Sequence, residues 1–218
     1  MKAIDLKEVT PEKIYMNRRQ FLQKASIVSG AVILAACAPA AVAPTPEEVK
    51  VISSEEPLTP YESITTYNNY YEFSLYKEKV AELSKDFKTE PWQLQVYGLV
   101  ENPVTFSMQD ILDQFPQEER IYRLRCVEGW SMVIPWVGFS LNKLLDVVKP
   151  TGDAKYVRFE TLADPEQMPG LKANFPWPYQ EGLRLDEAQN DLAILATGIY
   201  GKPMPPQDGA PIRLVVPW

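Results

Sequence analysis

Histidine is absent from all 218 residues. That excludes a Ser-His-Asp triad, a Cys-His pair, and any zinc or haem held by imidazole. Cysteine is almost as scarce: the two present, Cys37 and Cys126, cannot complete a four-thiolate metal site. There is no glycine-rich phosphate loop and no strand-helix-strand alternation, so a dinucleotide fold is excluded. What is present is ordinary for a globular chain, 45% hydrophobic and 23% charged. The length suits one domain, or one and a fraction, with a core that needs no disulfide scaffold.

The first segment is an address. A basic stretch around Arg18 and Arg19 precedes Ala25–Ala36, an uncharged run of 12 residues. That run is too short to cross a bilayer as a settled helix and fits a signal h-region. Arg18-Arg19-Gln-Phe21-Leu22 resembles a twin-arginine export signal, with an ordinary secretory signal as the alternative. Leu34-Ala-Ala-Cys37 resembles a lipobox, in which the cysteine is acylated, against a plain cleavage site near Ala36. The chain thus divides into a signal with lipobox (1–37), a Pro/Ala/Glu/Ser-rich tether (38–60) and a folded part (61–218). Residues 1–36 hold six basic and three acidic residues, leaving 16 basic against 26 acidic and a net charge of −10. So acidic a remainder argues against nucleic acid and anionic lipid as partners.

In the folded part, Trp92–Val100 alternates as a strand with Trp92, Leu94 and Val96 on one face. Ser107 to Asp110 is a capping-box start for a short helix to Phe115. Arg120–Cys126 alternates again, with Tyr122, Leu124 and Cys126 sharing a face. Ser140–Val148 is an amphipathic helix stopped by Pro150, and 156–161, 192–197 and 212–216 read as strands. The fold class is mixed α+β, or mostly β.

With Cys37 acylated, Cys126 has no disulfide partner. It reads either as a buried small hydrophobe or as a thiolate nucleophile or ligand. Arg123 and Arg125 just upstream favour the thiolate, and Gly129 relaxes the backbone beyond it. Without histidine as a base, a soft or high-valent metal held mainly by another cofactor is the natural partner. Glu128 reads as an exposed carboxylate or a proton carrier, Trp130 and Trp136 as core or as walls of a site, and Arg213 as a strand-end charge or an anion's partner.

One segment is specific. Arg120-Ile-Tyr-Arg-Leu-Arg-Cys126-Val-Glu-Gly-Trp130-Ser-Met-Val-Ile-Pro-Trp136-Val-Gly-Phe139 resembles the molybdenum-binding segment of the periplasmic protein-methionine-sulfoxide reductase catalytic subunits, the MsrP/YedY family. Tyr67–Phe73, Phe159–Thr161 with Pro165–Gly170, Gly182–Ala188 and Tyr200–Leu214 agree with it in order and spacing. Even Val9–Leu22 resembles that family's leader, so the resemblance runs along nearly the whole chain.

The resemblance implies a sulfite-oxidase-like, molybdopterin-binding α+β domain holding Mo-molybdopterin with no nucleotide tail. It makes Cys126 the molybdenum ligand and the catalytic residue. It places Asn68, Tyr71, Glu72, Thr161, Asp208 and Arg213 at cofactor-binding positions. Arg213 suits the pterin phosphate, and Thr161 and Asn68 suit the polar ring edge. The implied activity is reduction of methionine sulfoxide in exported proteins, with electrons from a membrane haem b subunit. Export by the twin-arginine route would place it in the periplasm or on the outer face of the cytoplasmic membrane, lipid-anchored if Cys37 is acylated. A sulfite-oxidase-like enzyme and a truncated non-enzymatic lipoprotein are the alternatives. Two departures stand out. Asp208 occupies a position where the family usually has asparagine, which trades an amide donor for a negative charge. The chain also stops at Trp218, straight after an apolar strand, where the family continues, so a C-terminally truncated fragment is the expectation.

Overall fold

The computed structural model describes residues 56–217 except Val127 and Ala173–Asn174, with the backbone alone at Lys172. The signal, the lipobox with Cys37, most of the tether and Trp218 lie outside the described residues. Among the described residues no helix is long and apolar enough to cross a membrane.

Two short helices open the described part, α1 (Tyr61–Thr65) and α2 (Val80–Ser84), with a 3-10 turn at Lys77–Lys79 between them. A hairpin of β1 (Gln93–Val96) and β2 (Val104–Ser107) follows, then α3 (Met108–Gln114). The central sheet is built from β3 (Glu118–Arg125), β4 (Ser131–Ser140), β7 (Ile194–Ile199), β8 (Lys202–Pro203) and β9 (Arg213–Val215). Between β4 and β7 the chain forms α4 (Leu141–Val148), a second hairpin of β5 (Tyr156–Glu160) and β6 (Gln180–Arg184), and α5 (Leu185–Ala188). Every named strand pair is antiparallel, as the lack of strand-helix-strand alternation requires.

The local reasons are visible in the chain. Ser107 caps α3: its hydroxyl accepts from the Asp110 N–H at 3.1 Å while the Asp110 carboxylate accepts from the Ser107 N–H at 2.8 Å. Ser107→Ala removes that reciprocal cap and is expected to lower unfolding stability by about 1 kcal/mol in urea titration. Helix α4 buries Leu141, Leu144, Leu145 and Val148 on one stripe and ends on Lys149, whose φ of 53° turns the chain toward Pro150.

Strand β4 is the spine, and sequence pattern did not reveal it. It is buried on both sides, so no alternation marks it, and Pro135 and Gly138 interrupt it. The proline is tolerated because its carbonyl accepts from the Tyr200 N–H at 2.9 Å, so its backbone edge faces β7 just past the last ladder pair, Trp136↔Ile199. At Gly138 the strands approach so closely that a Cβ would lie 2.3 Å from the Leu195 carbonyl oxygen. The register shifts there, leaving Thr197 of β7 as the extra residue. That bulge lets Ile194, Ala196 and Ile199 share one face despite their odd and even spacing.

One face of the sheet packs Phe139 and Leu195 against α3 and α4, with Phe115 stacked on Phe139 at 4.5 Å. The other packs Ile134, Trp136, Ile194, Ile199 and Val215 against Ile64 of α1 and Met204. A third cluster of Phe73, Val80, Phe87 and Met168 sits beneath the segment after α1. The expected tether gives way before Tyr61: Thr59 donates from its N–H to the Val133 carbonyl at 3.1 Å, and its hydroxyl accepts from the Val133 N–H at 2.9 Å.

Candidate cofactor site

The site assembles from chain ends. Asn68 lies just past α1 and Asp208 ends a 3-10 turn at Pro206–Asp208; both are buried. The Asn68 amide nitrogen donates to the Ile64 carbonyl at 2.9 Å and to Asp208 Oδ1 at 2.6 Å. Gly209, at φ 103°, turns the chain so that the Arg213 side chain lies over its bare Cα; a Cβ there would sit 3.2 Å from two Arg213 carbons. From that position Arg213 Nη1 donates to the Asp208 carbonyl at 3.0 Å, and the guanidinium covers the Trp136 ring at 5.1 Å.

Burial and charge set the protonation of this cradle. Burial pushes the Asp208 carboxyl up to about 7, against the pull of Arg213 and of the Asn68 hydrogen bond. Burial, with Glu72 nearby, raises Tyr70 to about 12, again against Arg213. Arg213 itself is lowered by burial and held up by Asp208 and Tyr70. The guanidinium therefore answers Asp208 through its backbone carbonyl and its field, with no direct bond between guanidinium and carboxylate.

A second group stands beside it. Glu72 is buried and its carboxyl is raised by that burial, while the Thr161 hydroxyl donates to it at 3.3 Å. Tyr71, next to Glu72 in the chain, is exposed. So Asn68, Asp208 and Arg213 form one contact group and Glu72 and Thr161 another, joined electrostatically through Tyr70.

Among the described hydrogen bonds Cys126 shares none with either group. It follows β3 directly in the turn to β4, with its N–H donating to the Trp130 carbonyl at 2.9 Å and its own carbonyl accepting from the Gly129 N–H at 3.0 Å. Gly129 takes a φ of 90°, as the relaxed backbone required. The thiol is free and part-buried. Strand alternation puts Arg123 and Arg125 at exposed positions of β3 and Tyr122 and Leu124 at half-buried ones, with Cys126 part-buried directly after them. Arg123 pairs with Glu56 at 3.2 Å. Glu128 is ion-paired with Lys77 and accepts from the Trp130 indole at 3.2 Å, which together hold its carboxyl below the usual range.

These residues fit a metal-bearing organic cofactor. Among the described residues no cluster of three or more Cys, Asp or Glu side chains could hold a metal unaided, so a single soft thiolate suits a metal whose other ligands arrive with the cofactor. Asn68 Oδ1, Asp208 Oδ2 and Trp136 Nε1 are buried without hydrogen-bond partners. The two oxygens call for donors, and the indole N–H and guanidinium for acceptors, so a ligand with N–H groups on one edge and an anion at its end would satisfy both.

The comparisons with known proteins agree. Residues 81–218 match the oxidoreductase molybdopterin binding domain family. Protein-methionine-sulfoxide reductase catalytic subunits MsrP from Xanthomonas campestris pv. campestris and Xanthomonas axonopodis pv. citri are each 48% identical over 219 residues, covering 97% of this chain and 68% of theirs. The chain belongs to the MsrP family. The crystal structure of the sulfane dehydrogenase SoxCD from Paracoccus pantotrophus aligns with 99% of the chain and 55% of its own at a TM-score of 0.51 and 18% identity, which speaks for the fold. The MsrP chain is therefore an α+β molybdopterin-binding domain of the sulfite-oxidase-like fold, part of an oxidoreductase whose cofactor is Mo-molybdopterin. Sequence pattern alone missed Tyr70 and Lys77, whereas Trp136, whose ring lies under Arg213, had been singled out as a possible wall. Tyr70 lay inside a segment already singled out, while nothing marked Lys77.

Proposed function

We propose that this chain is the catalytic part of an exported reductase that returns methionine sulfoxide in proteins to methionine. The observation that carries this reading is the match to methionine-sulfoxide reductase catalytic subunits along 97% of the chain. The overall reaction consumes the sulfoxide, two protons and two electrons, and yields the thioether and water. When bound, Mo-molybdopterin supplies the two-electron oxygen-atom chemistry. The protein's share is placement. Cys126 would give the metal a protein thiolate. Arg213 would neutralise the cofactor's anionic end, and Asn68 and Asp208 would meet its polar edge through the oxygens left without partners. Glu72 and Thr161 hold the neighbouring wall, with Tyr71 exposed beside them.

As a catalytic subunit it works with a partner, which we assign as a membrane haem b protein returning electrons one at a time. The twin arginines at Arg18 and Arg19 route the folded protein outward, and acylation at Cys37 would keep it beside that donor.

The test uses the full-length protein loaded with molybdopterin, a chemical electron donor and an oxidised exported protein. Mass spectrometry is expected to show loss of one oxygen from methionine sulfoxide peptides. Turnover of sulfite with none of the sulfoxide would overturn the reading.

A further inference from the structure

Lys77 reaches both halves of the site. Its ammonium pairs with both carboxylate oxygens of Glu128, in the Cys126 turn. Its backbone carbonyl accepts from the Asn68 N–H at 3.2 Å, and Asn68 in turn holds Asp208. The Lys77 side chain is 14% exposed and lies 5.7 Å from the Tyr67 ring, whose face adds to its hold on the cation. Glu128 is fixed from a second side by the Trp130 indole, so its carboxylate has both a cation and a neutral donor.

We infer that Lys77 is a positioning residue: with Glu128 it clasps the Cys126 turn to the Asn68–Asp208–Arg213 cradle and sets where the thiolate stands relative to that cradle. The inference rests on Cys126 being the metal ligand. The route is continuous, from the Cys126 turn through Glu128, Lys77, Asn68 and Asp208 to Arg213, each step a hydrogen bond. Among the described residues the turn is anchored by the ends of β3 and β4 and by two backbone bonds of Cys126, and the clasp at Glu128 adds a tie that leads to the cradle.

The experiment compares Lys77→Met, Glu128→Gln, Lys77→Arg and the exchanged pair Lys77→Glu/Glu128→Lys. One readout is the rate at which iodoacetamide alkylates Cys126 in the cofactor-free full-length chain, followed on the Cys126 peptide by mass spectrometry. The other is molybdenum retained per protein after loading and dialysis. Removing a cation and removing an anion shift thiolate character in opposite directions. Loss of the clasp moves both single variants the same way. The expected result is faster alkylation in both Lys77→Met and Glu128→Gln, about ten-fold weaker molybdenum retention, and recovery in Lys77→Arg and the exchanged pair. Alkylation rates that move in opposite directions, or that stay within the parent's, overturn the clasp. Molybdenum retained in full by Cys126→Ser overturns the ligand assignment instead and leaves the alkylation result to stand on its own.

Discussion

Cys126→Ser is expected to abolish sulfoxide reduction by the loaded protein while leaving its thermal unfolding midpoint where it was. The substitution exchanges one small part-buried side chain for another in a turn held by backbone bonds, so folding has little to lose. The chemistry has much to lose. A thiolate is soft, forms near neutral pH and donates strongly to a metal held in a sulfur-rich set. A serine hydroxyl stays protonated under the same conditions and is a hard, weak ligand. No other cysteine, aspartate or glutamate cluster among the described residues can take its place. The check is molybdenum per protein together with turnover on an oxidised protein. A variant as active as its parent would sink the assignment of the ligand.

Asp208→Asn is the second large effect, and its size depends on pH. An ordinary aspartate ionises near 3.8, whereas burial lifts the folded Asp208 to about 7. Between those values the native state holds a proton that the unfolded chain has released. Stability of the parent therefore falls as pH rises through that window and levels off above it. Asparagine has no proton to lose, keeps the same shape and can still accept from Asn68. The two proteins should match near pH 4, and the variant should be more stable by roughly 2 to 4 kcal/mol above pH 7. Urea titrations across that range read the difference directly. A gap independent of pH would show that the carboxyl keeps its ordinary ionisation when folded. The amide would also give the cradle a permanent donor, so molybdenum retention at pH 8 is expected to rise.

How much of this was legible depended on what each element's neighbours are. Helix α4 and strand β3 each bury one side, so their apolar residues keep a helical or alternating rhythm that sequence displays. The capping box at Ser107 and Asp110 is local and declares itself. Strand β4 is covered on both faces and is interrupted by a proline and a glycine, so its strand-forming Val, Ile, Trp and Phe show no alternation to mark it. Strand β7 begins at Ile194, two residues later than apolar Leu192 suggested, because Leu192 lies exposed in the approach turn. At the site, Cys126, Asn68, Asp208 and Arg213 were found through resemblance to a family. Their mutual arrangement was not legible, because no periodic signal ties Asn68 to Asp208. The Lys77 clasp joins a side chain to a turn 51 residues away, and nothing in composition marks so distant a pair.

The Asn68–Asp208 bond spans 140 residues of chain. On a ribosome adding about 5 to 20 residues per second, the first half of the cradle waits on the order of ten seconds for its partner to be made. During that interval there is nothing for the cofactor to enter. The cradle therefore forms only once the chain through Arg213 has been made, and until β9 joins the central sheet its oxygens, its guanidinium and the Cys126 thiol are separate groups along one strand of polypeptide.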